Sequence, residues 1–288
     1  MDNIIISNET VIRLGVFFSV LLVIAGLEVL FPRRQLKLSK GLRWRNNLAL
    51  VVLDAIVLRL LFPAALVGFT LFANNNGWGL FNYFQVPLLI AAIVSVIILD
   101  LVIYLQHVMV HAVPLFWRVH RVHHADLDYD VTTGTRFHPF EIILSMLIKF
   151  AAVCVLGPPV VAVILFEVLL NASAMFNHGN LRLPPGLDKI LRLIIVTPDM
   201  HRVHHSVYDD ETNSNFGSNF SLWDRLFGTY KAQPRDGHEG MQIGLRGFQK
   251  QDQVAKLPGL LILPFVGKIS GYAINRRECE RESSEDRR

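Results

Sequence analysis

Two identical pentapeptides, His-Arg-Val-His-His, occur at His120 to His124 and at His201 to His205, and between them lies a long apolar stretch, Ile142 to Phe176, interrupted at Gly157-Pro158-Pro159. No other feature constrains the fold as much. The stretch is too long for one membrane span of about 20 residues. A single crossing would also leave the two pentapeptides on opposite faces of a bilayer, where they could not share a site. Glycine followed by two prolines ends one helix and starts another, so the stretch is predicted to be a helical hairpin that returns the chain to the side it left. Each arm is then roughly 15 residues, short for a full span, and the hairpin is expected to be tilted or re-entrant. Lys149 and Glu167 lie within it, so part of it must face protein.

Three more apolar runs precede the pentapeptides: Val11 to Phe31, Asn47 to Phe72, and Val86 to Val113. Each is long enough to span, and the first reads as a retained span because it lacks a basic leader and a small-residue cleavage site. With 52% hydrophobic residues gathered in blocks, the chain is expected to be an integral, multi-pass membrane protein. Arg33, Arg34, Lys37, Lys40, Arg43 and Arg45 form a loop without acids between the first two runs. By the positive-inside rule that loop is cytoplasmic, and lipid headgroups account for its charge better than nucleic acid does. Alternation then delivers the end of the third span, and both pentapeptides, to the cytoplasmic side. The fold class is thus all-α: three spans plus a Gly-Pro-Pro-broken hairpin, 142–176, under a cytoplasmic histidine-rich helical cap. Leu257 to Ile274, interrupted by Pro258 and Pro264, is expected to lie at the interface, and the charged tail Arg276 to Arg288 to be mobile. Three units follow: 1–94 transmembrane, 95–232 catalytic, and 233–288 interfacial segment and tail.

The two cysteines, Cys154 and Cys279, form no Cys-x-x-Cys pattern, so metal binding would rest on histidine. Eight of eleven histidines fall in two windows: His107, His111, His120, His123 and His124, then His201, His204 and His205. Residues three and four apart share a helix face, so each pentapeptide is expected to aim three imidazoles at a common point. Eight imidazoles exceed the needs of one tetrahedral zinc, and two metals is the economical count. Imidazole suits zinc, copper, iron and nickel alike. His178 leaves the hairpin on the correct side and is a ninth candidate. His138 can ligate metal or cap the hairpin's first helix. Asp100 and Tyr104 lie on the stripe of His107, where Asp100 is expected to brace a ligand histidine. Asp126, Asp128 and Asp130, with Asp209, Asp210 and Glu211, follow the two copies and either accept second ring N–H groups or solvate the surface. His238, in a polar loop, reads as an ordinary exposed histidine.

These motifs resemble the fatty acid hydroxylase and sterol desaturase superfamily of integral membrane di-iron proteins, in its bacterial form. The likeness runs from Asp100 to Tyr230 and includes Tyr104, His107-x-x-x-His111, His120-x-x-His123-His124, His138-Pro139-x-Glu141, Asn177-His178, His201-x-x-His204-His205, and the segments Asn215 to Asn219 and Leu222 to Thr229. The resemblance implies two irons, for which zinc can substitute in purified material, and dioxygen used to hydroxylate or desaturate a lipid or sterol-like substrate. It implies catalysis at His107, His111, His120, His123, His124, His201, His204 and His205, with Asn177 supporting the site. Electrons would come from an external carrier, cytochrome b5-like or a ferredoxin with its reductase. The membrane would be the bacterial inner membrane, or the endoplasmic reticulum in a eukaryote. Two positions depart from the pattern: Val108, where many relatives have Arg, and Ala174, one turn before His178, where some hydroxylases carry a further histidine, so one metal is expected to be less completely coordinated.

Two other readings compete. A membrane zinc hydrolase needs a general base beside metal-bound water, and the chain has no His-Glu-x-x-His motif. A non-enzymatic metal binder or transporter needs polar residues along several spans, whereas these histidines cluster at span ends.

Overall fold

The computed structural model describes residues 2–267. No β-strand occurs among them, and five segments are long and apolar enough to cross a membrane, the number expected from three spans and a hairpin. After a short helix, Asp2–Ser7, the first long helix is α1 (Glu9–Leu30). Then come α2 (Lys40–Leu61), α3 (Ala65–Asn75) and α4 (Leu88–Ala112), followed by α5 (Pro114–His124), which carries the first pentapeptide. The hairpin is α6 (Pro139–Leu156) and α7 (Val160–Asn177), and the second pentapeptide sits on α9 (Pro198–His204), after the short α8 (Pro185–Leu191).

α7 is the hub. It packs against α1, α3, α4 and α9, and 44% of its apolar window is buried against 11% for α1. The outward faces of the bundle expose large apolar side chains such as Leu22, Val29, Leu60 and Leu89, a surface suited to lipid rather than water. Inside, Leu66, Leu99, Ile103, Val153 and Phe166 form the main core.

The hairpin turns where the sequence requires it. Gly157 caps α6 in the left-handed region, φ 63° and ψ 52°, which glycine adopts without a Cβ penalty. Gly79 packs directly on this turn: a Cβ there would lie 2.1 Å from the Gly157 nitrogen. Each arm has 18 residues, longer than expected from the apolar limits, because α6 starts at Pro139 under a cap supplied by His138. Lys149 meets Glu167 at 3.1 Å across the hairpin, and Arg13 of α1 approaches the same carboxylate at 3.3 Å.

Two expectations need correction. The run Asn47 to Phe72 is two helices, because Pro63 removes a backbone donor and Ala65 takes φ 48°, so α3 restarts beside the hairpin turn, where Asn74 donates to the Pro158 carbonyl at 3.0 Å. The basic loop is not wholly a headgroup-facing surface. Arg43 lies inside α2, fully buried, donating to Asp126 at 2.9 and 2.7 Å and to Asp130. The segment from Leu257, expected at the interface, packs one face on α5. α10 (Leu257–Ile262) and the turn after it bury Leu260 and Leu263 against Trp117 and Val122 of α5, while Ile262 and Phe265 stay exposed. Residues 268–274 of that segment, Cys279 and the tail Arg276 to Arg288 lie outside the described residues.

Candidate metal centre

Proline starts both histidine helices, Pro114 at α5 and Pro198 at α9, where its fixed φ and missing N–H are tolerated. Thr197 caps α9 by accepting from the Met200 N–H. The three imidazoles of a copy do not share one point. Successive residues advance about 100° around a helix, so the first and fifth residues of each pentapeptide form one stripe and the fourth another. His120 and His124 therefore join His107, His111 and, from the second copy, His204. His123 joins His178 and the second copy's His201 and His205. Within each group the candidate ligand atoms lie within 4.8 Å of one another, and the groups share a wall in which His124 stacks on His205 at 4.6 Å between centroids.

The ring nitrogens are sorted. Outward Nδ1 atoms contact Phe216 O (His107, 2.8 Å), Asn213 Oδ1 (His111, 3.2 Å), Glu141 Oε1 (His120, 2.6 Å), Ala174 O (His178, 2.7 Å) and Ser214 O (His204, 2.7 Å). Carbonyl and carboxylate oxygens only accept, so these rings carry the proton on Nδ1 and turn a bare Nε2 lone pair inward. There the Nε2 atoms crowd: His111 to His124 and His124 to His120 at 3.2 Å, His178 to His123 at 3.1 Å and to His205 at 3.2 Å. The Nε2 atoms of His107 and His204 are buried without a hydrogen-bond partner. Burial first, then neighbouring imidazoles, holds His123, His124, His201, His204 and His205 well below the usual histidine pKa, and burial drives His178 down to about 3. Neutral imidazoles with converging lone pairs repel one another unless a cation lies between them, so this donor set fits two metal ions. Five nitrogens face one point and four the other, the four-membered group being the one where Ala174 stands in place of a histidine.

Comparison with known proteins bears on this geometry. Residues 92–229 match the fatty acid hydroxylase family. This segment belongs to that family. The ornithine lipid hydroxylase OlsE of Rhizobium tropici is 28% identical over 173 residues, 60% of this chain and 51% of that protein. The alkylglycerol monooxygenase of Homo sapiens is 29% identical over 135 residues, 45% and 28% respectively. The methylsterol monooxygenase 2-2 of Arabidopsis thaliana is 27% identical over 223 residues, 74% and 82%. The chain spans about half or less of the length of the first two. No solved structure matches it.

Around the clustered histidines the supports differ from those expected. Asp100 touches no histidine; it accepts from Trp223 Nε1 and Asn219 Nδ2, both at 2.8 Å, and from the Asn219 and Phe220 N–H groups. It thereby fixes the segment whose Phe216 carbonyl holds His107. Asp224 serves the same segment by accepting from the Phe216 and Gly217 N–H groups at 2.7 and 2.9 Å; burial raises its pKa to about 6. Tyr104 bonds Thr229 at 2.8 Å, and Asn177 donates to Ser218 O at 2.9 Å. Neither reading of the acids after the first copy applies. Burial alone would raise the Asp126 pKa, but Arg43 and Arg136 hold it down at about 2, and Asp128 accepts from the Lys37 and Leu38 N–H groups. After the second copy, Asp210 pairs with Lys231 and Arg235, and Glu211 accepts from the Arg235 N–H. His138 lies in neither histidine group; its Nδ1 accepts from the Phe140 N–H at 3.2 Å, capping α6. His238 is buried, 3.6 Å from Asp199, and burial lowers its pKa to about 4.

The residue that sequence reasoning left out of the candidate site is Glu141. It stood in the His-Pro-x-Glu motif, yet its contact with His120 depends on how α6 docks against α5. Its second oxygen, Oε2, is buried without a partner in the wall of a cavity of about 190 Å3. His107, His120, His123, His178 and His201 stand at one end of that cavity, and Ile103, Ile142 and Leu170 line its apolar walls.

Proposed function

We propose that this protein is a membrane di-iron oxygenase that hydroxylates, or desaturates, a lipid or sterol-like substrate with dioxygen and electrons from an external carrier. Nine histidine nitrogens converging at the end of a cavity that runs into an apolar bundle carry this reading. The lipid and sterol oxygenases among the relatives support it. The catalytic unit is residues 95–232, preceded by the transmembrane region 1–94 and followed by 233–288, with the metal centre on the cytoplasmic side of a bacterial inner membrane or of the endoplasmic reticulum.

His107, His111, His120, His124 and His204 would hold one iron, and His123, His178, His201 and His205 the other. When bound, the pair supplies the dioxygen-reducing oxidant that an unactivated C–H bond requires. The protein does the rest. Acceptors on the outer Nδ1–H groups fix ring orientation and tautomer. Ile103, Ile142 and Leu170 place the substrate chain and keep out water. Glu141 holds His120 with one oxygen and presents the other to the cavity, where it can take up or pass on a proton.

Purified protein should contain two metal ions per chain, with His123→Ala and His124→Ala each losing one. Iron-loaded protein should consume dioxygen with reductant only when lipid is added. Lipidomics of a strain lacking the protein, and of its complemented form, identifies the product as a gain of one oxygen or a loss of two hydrogens. Wild-type lipids in a strain complemented by His123→Ala would refute the assignment.

A further inference from the structure

α2 turns an unusual stripe inward. Its buried residues are Arg43, Asn46, Asn47, Leu50 and Asp54, spaced so that one helix face carries four polar groups into the bundle. Three have partners, although the Asn47 Oδ1 itself has none. Arg43 pairs with Asp126 and Asp130, Asn46 accepts from the Leu257 N–H at 2.9 Å, and Asn47 donates to Thr132 at 2.9 Å. Asp54 has no hydrogen bond or ion pair among the described residues: it is 7% exposed, and its Oδ1 is sealed from solvent without a partner.

Asp54 lines a second cavity, of about 350 Å3, between α1 and α2. Of the other charged groups near it, Glu141 is a second acid acting on Asp54, and the rest pair with one another. Glu9 and Glu167 are matched by Arg13, at 3.4 and 3.3 Å, and by Lys149, at 3.1 Å from Glu167. Asp54 is left as one carboxylate without a counter-charge, roughly mid-way along a bilayer span, where an unpaired polar group is costly. This cavity adjoins the one at the histidines, since Gly134, Phe137, Ile142, Glu167 and Asn171 line both. Phe137 is the partition, with its ring stacked 4.7 Å from His123 at an interplanar angle of 10°.

Building on the oxygenase reading, we propose that Asp54 is the binding site for an ammonium group on the substrate, making the substrate a lipid amine. The ammonium supplies the missing counter-charge and a charge-assisted hydrogen bond. Phe137 lines both cavities, so the ammonium end would be held in the cavity next to the metal centre while the rest of the molecule extends toward it. Arg13 and Lys149, neutralised by Glu167, leave the remaining cavity open to the uncharged part of the molecule. A hydroxyl lipid would satisfy the hydrogen bond but not the charge.

The test is calorimetric titration of metal-loaded protein in phosphatidylcholine nanodiscs with dodecylamine and with dodecanol, empty discs being subtracted, at pH 7, where the amine is protonated. Dodecylamine should bind on the order of tenfold more tightly than dodecanol. Asp54→Asn should abolish that preference and Asp54→Glu keep it, with metal content unchanged in both. Equal binding of the two probes to wild type, or an amine preference that survives in Asp54→Asn, overturns the proposal. Should Asp54→Asn not fold, the wild-type comparison decides alone. Binding is read without turnover, so an oxygenase without amine preference sinks this inference only, while amine preference in a protein that never consumes dioxygen sinks the oxygenase reading only.

Discussion

At the scale of single residues, Glu141 offers the sharpest test of the centre. Glutamine at this position can still accept from His120 Nδ1–H but can neither carry charge nor take up a proton. Glu141→Gln is expected to retain both metals and lose about 10- to 100-fold in turnover, measured by dioxygen uptake on iron-loaded protein; wild-type turnover would remove Glu141 from the mechanism. His238 gives a pH prediction. Its pKa is lowered from 6.5 to about 4 on folding, so between those values the unfolded chain binds a proton that the folded chain refuses, and stability falls as pH drops through that window. Relative to His238→Gln, wild type should lose on the order of 2–3 kcal/mol between pH 7 and pH 4, read from melting curves; parallel curves would contradict it. The histidine set was legible because its spacing follows the helix period. The partners of Asp100, Asp126 and His238 were not, because Arg43 pairs with Asp126 across 83 positions and Asp100 with Trp223 across 123, separations set by docking rather than by local pattern.

At the scale of elements, the hairpin turn is where backbone and packing meet. A Cβ on Gly157 would lie 2.3 Å from the Trp78 carbonyl oxygen and 2.6 Å from Asn82 Nδ2, on a residue with φ +63°. Gly157→Ala combines left-handed strain with a collision against backbone, and should cost about 2 kcal/mol or more, lowering the melting temperature in detergent. An unchanged melting temperature would mean that the turn is not held as described. The turn itself was readable, because Gly-Pro-Pro and the need for both pentapeptides to meet gave the same answer. Pro63 was equally visible, yet apolar character continues across it to Phe72, and hydropathy alone does not distinguish a kinked span from two helices. The pentapeptides divide between the metal groups for an elementary reason: the step from the fourth residue to the fifth is about 100°. The two helices exchange roles, one sending its paired stripe where the other sends its single histidine, so each group draws on both copies.

At the scale of the whole molecule, five apolar segments, an exposed apolar exterior and one polar end define how the protein can sit in a bilayer, but not which way up. Charge gives the expectation that the labelling experiment tests. The end bearing the histidines exposes Lys37, Arg45, Lys189 and Arg235, whereas residues 74–85 at the opposite end carry no charged side chain. Basic residues near span ends stay on the cytoplasmic side, so the histidine end is expected there, where soluble electron carriers can reach it. Asn75, at the end of α3, and Asp252, beside α10, are exposed at the two ends. With Cys154 and Cys279 replaced by serine, Asn75→Cys should react with a membrane-impermeant maleimide added to intact cells, and Asp252→Cys only after permeabilisation. The reverse pattern would put the metal centre on the outer face and require an electron donor on that side.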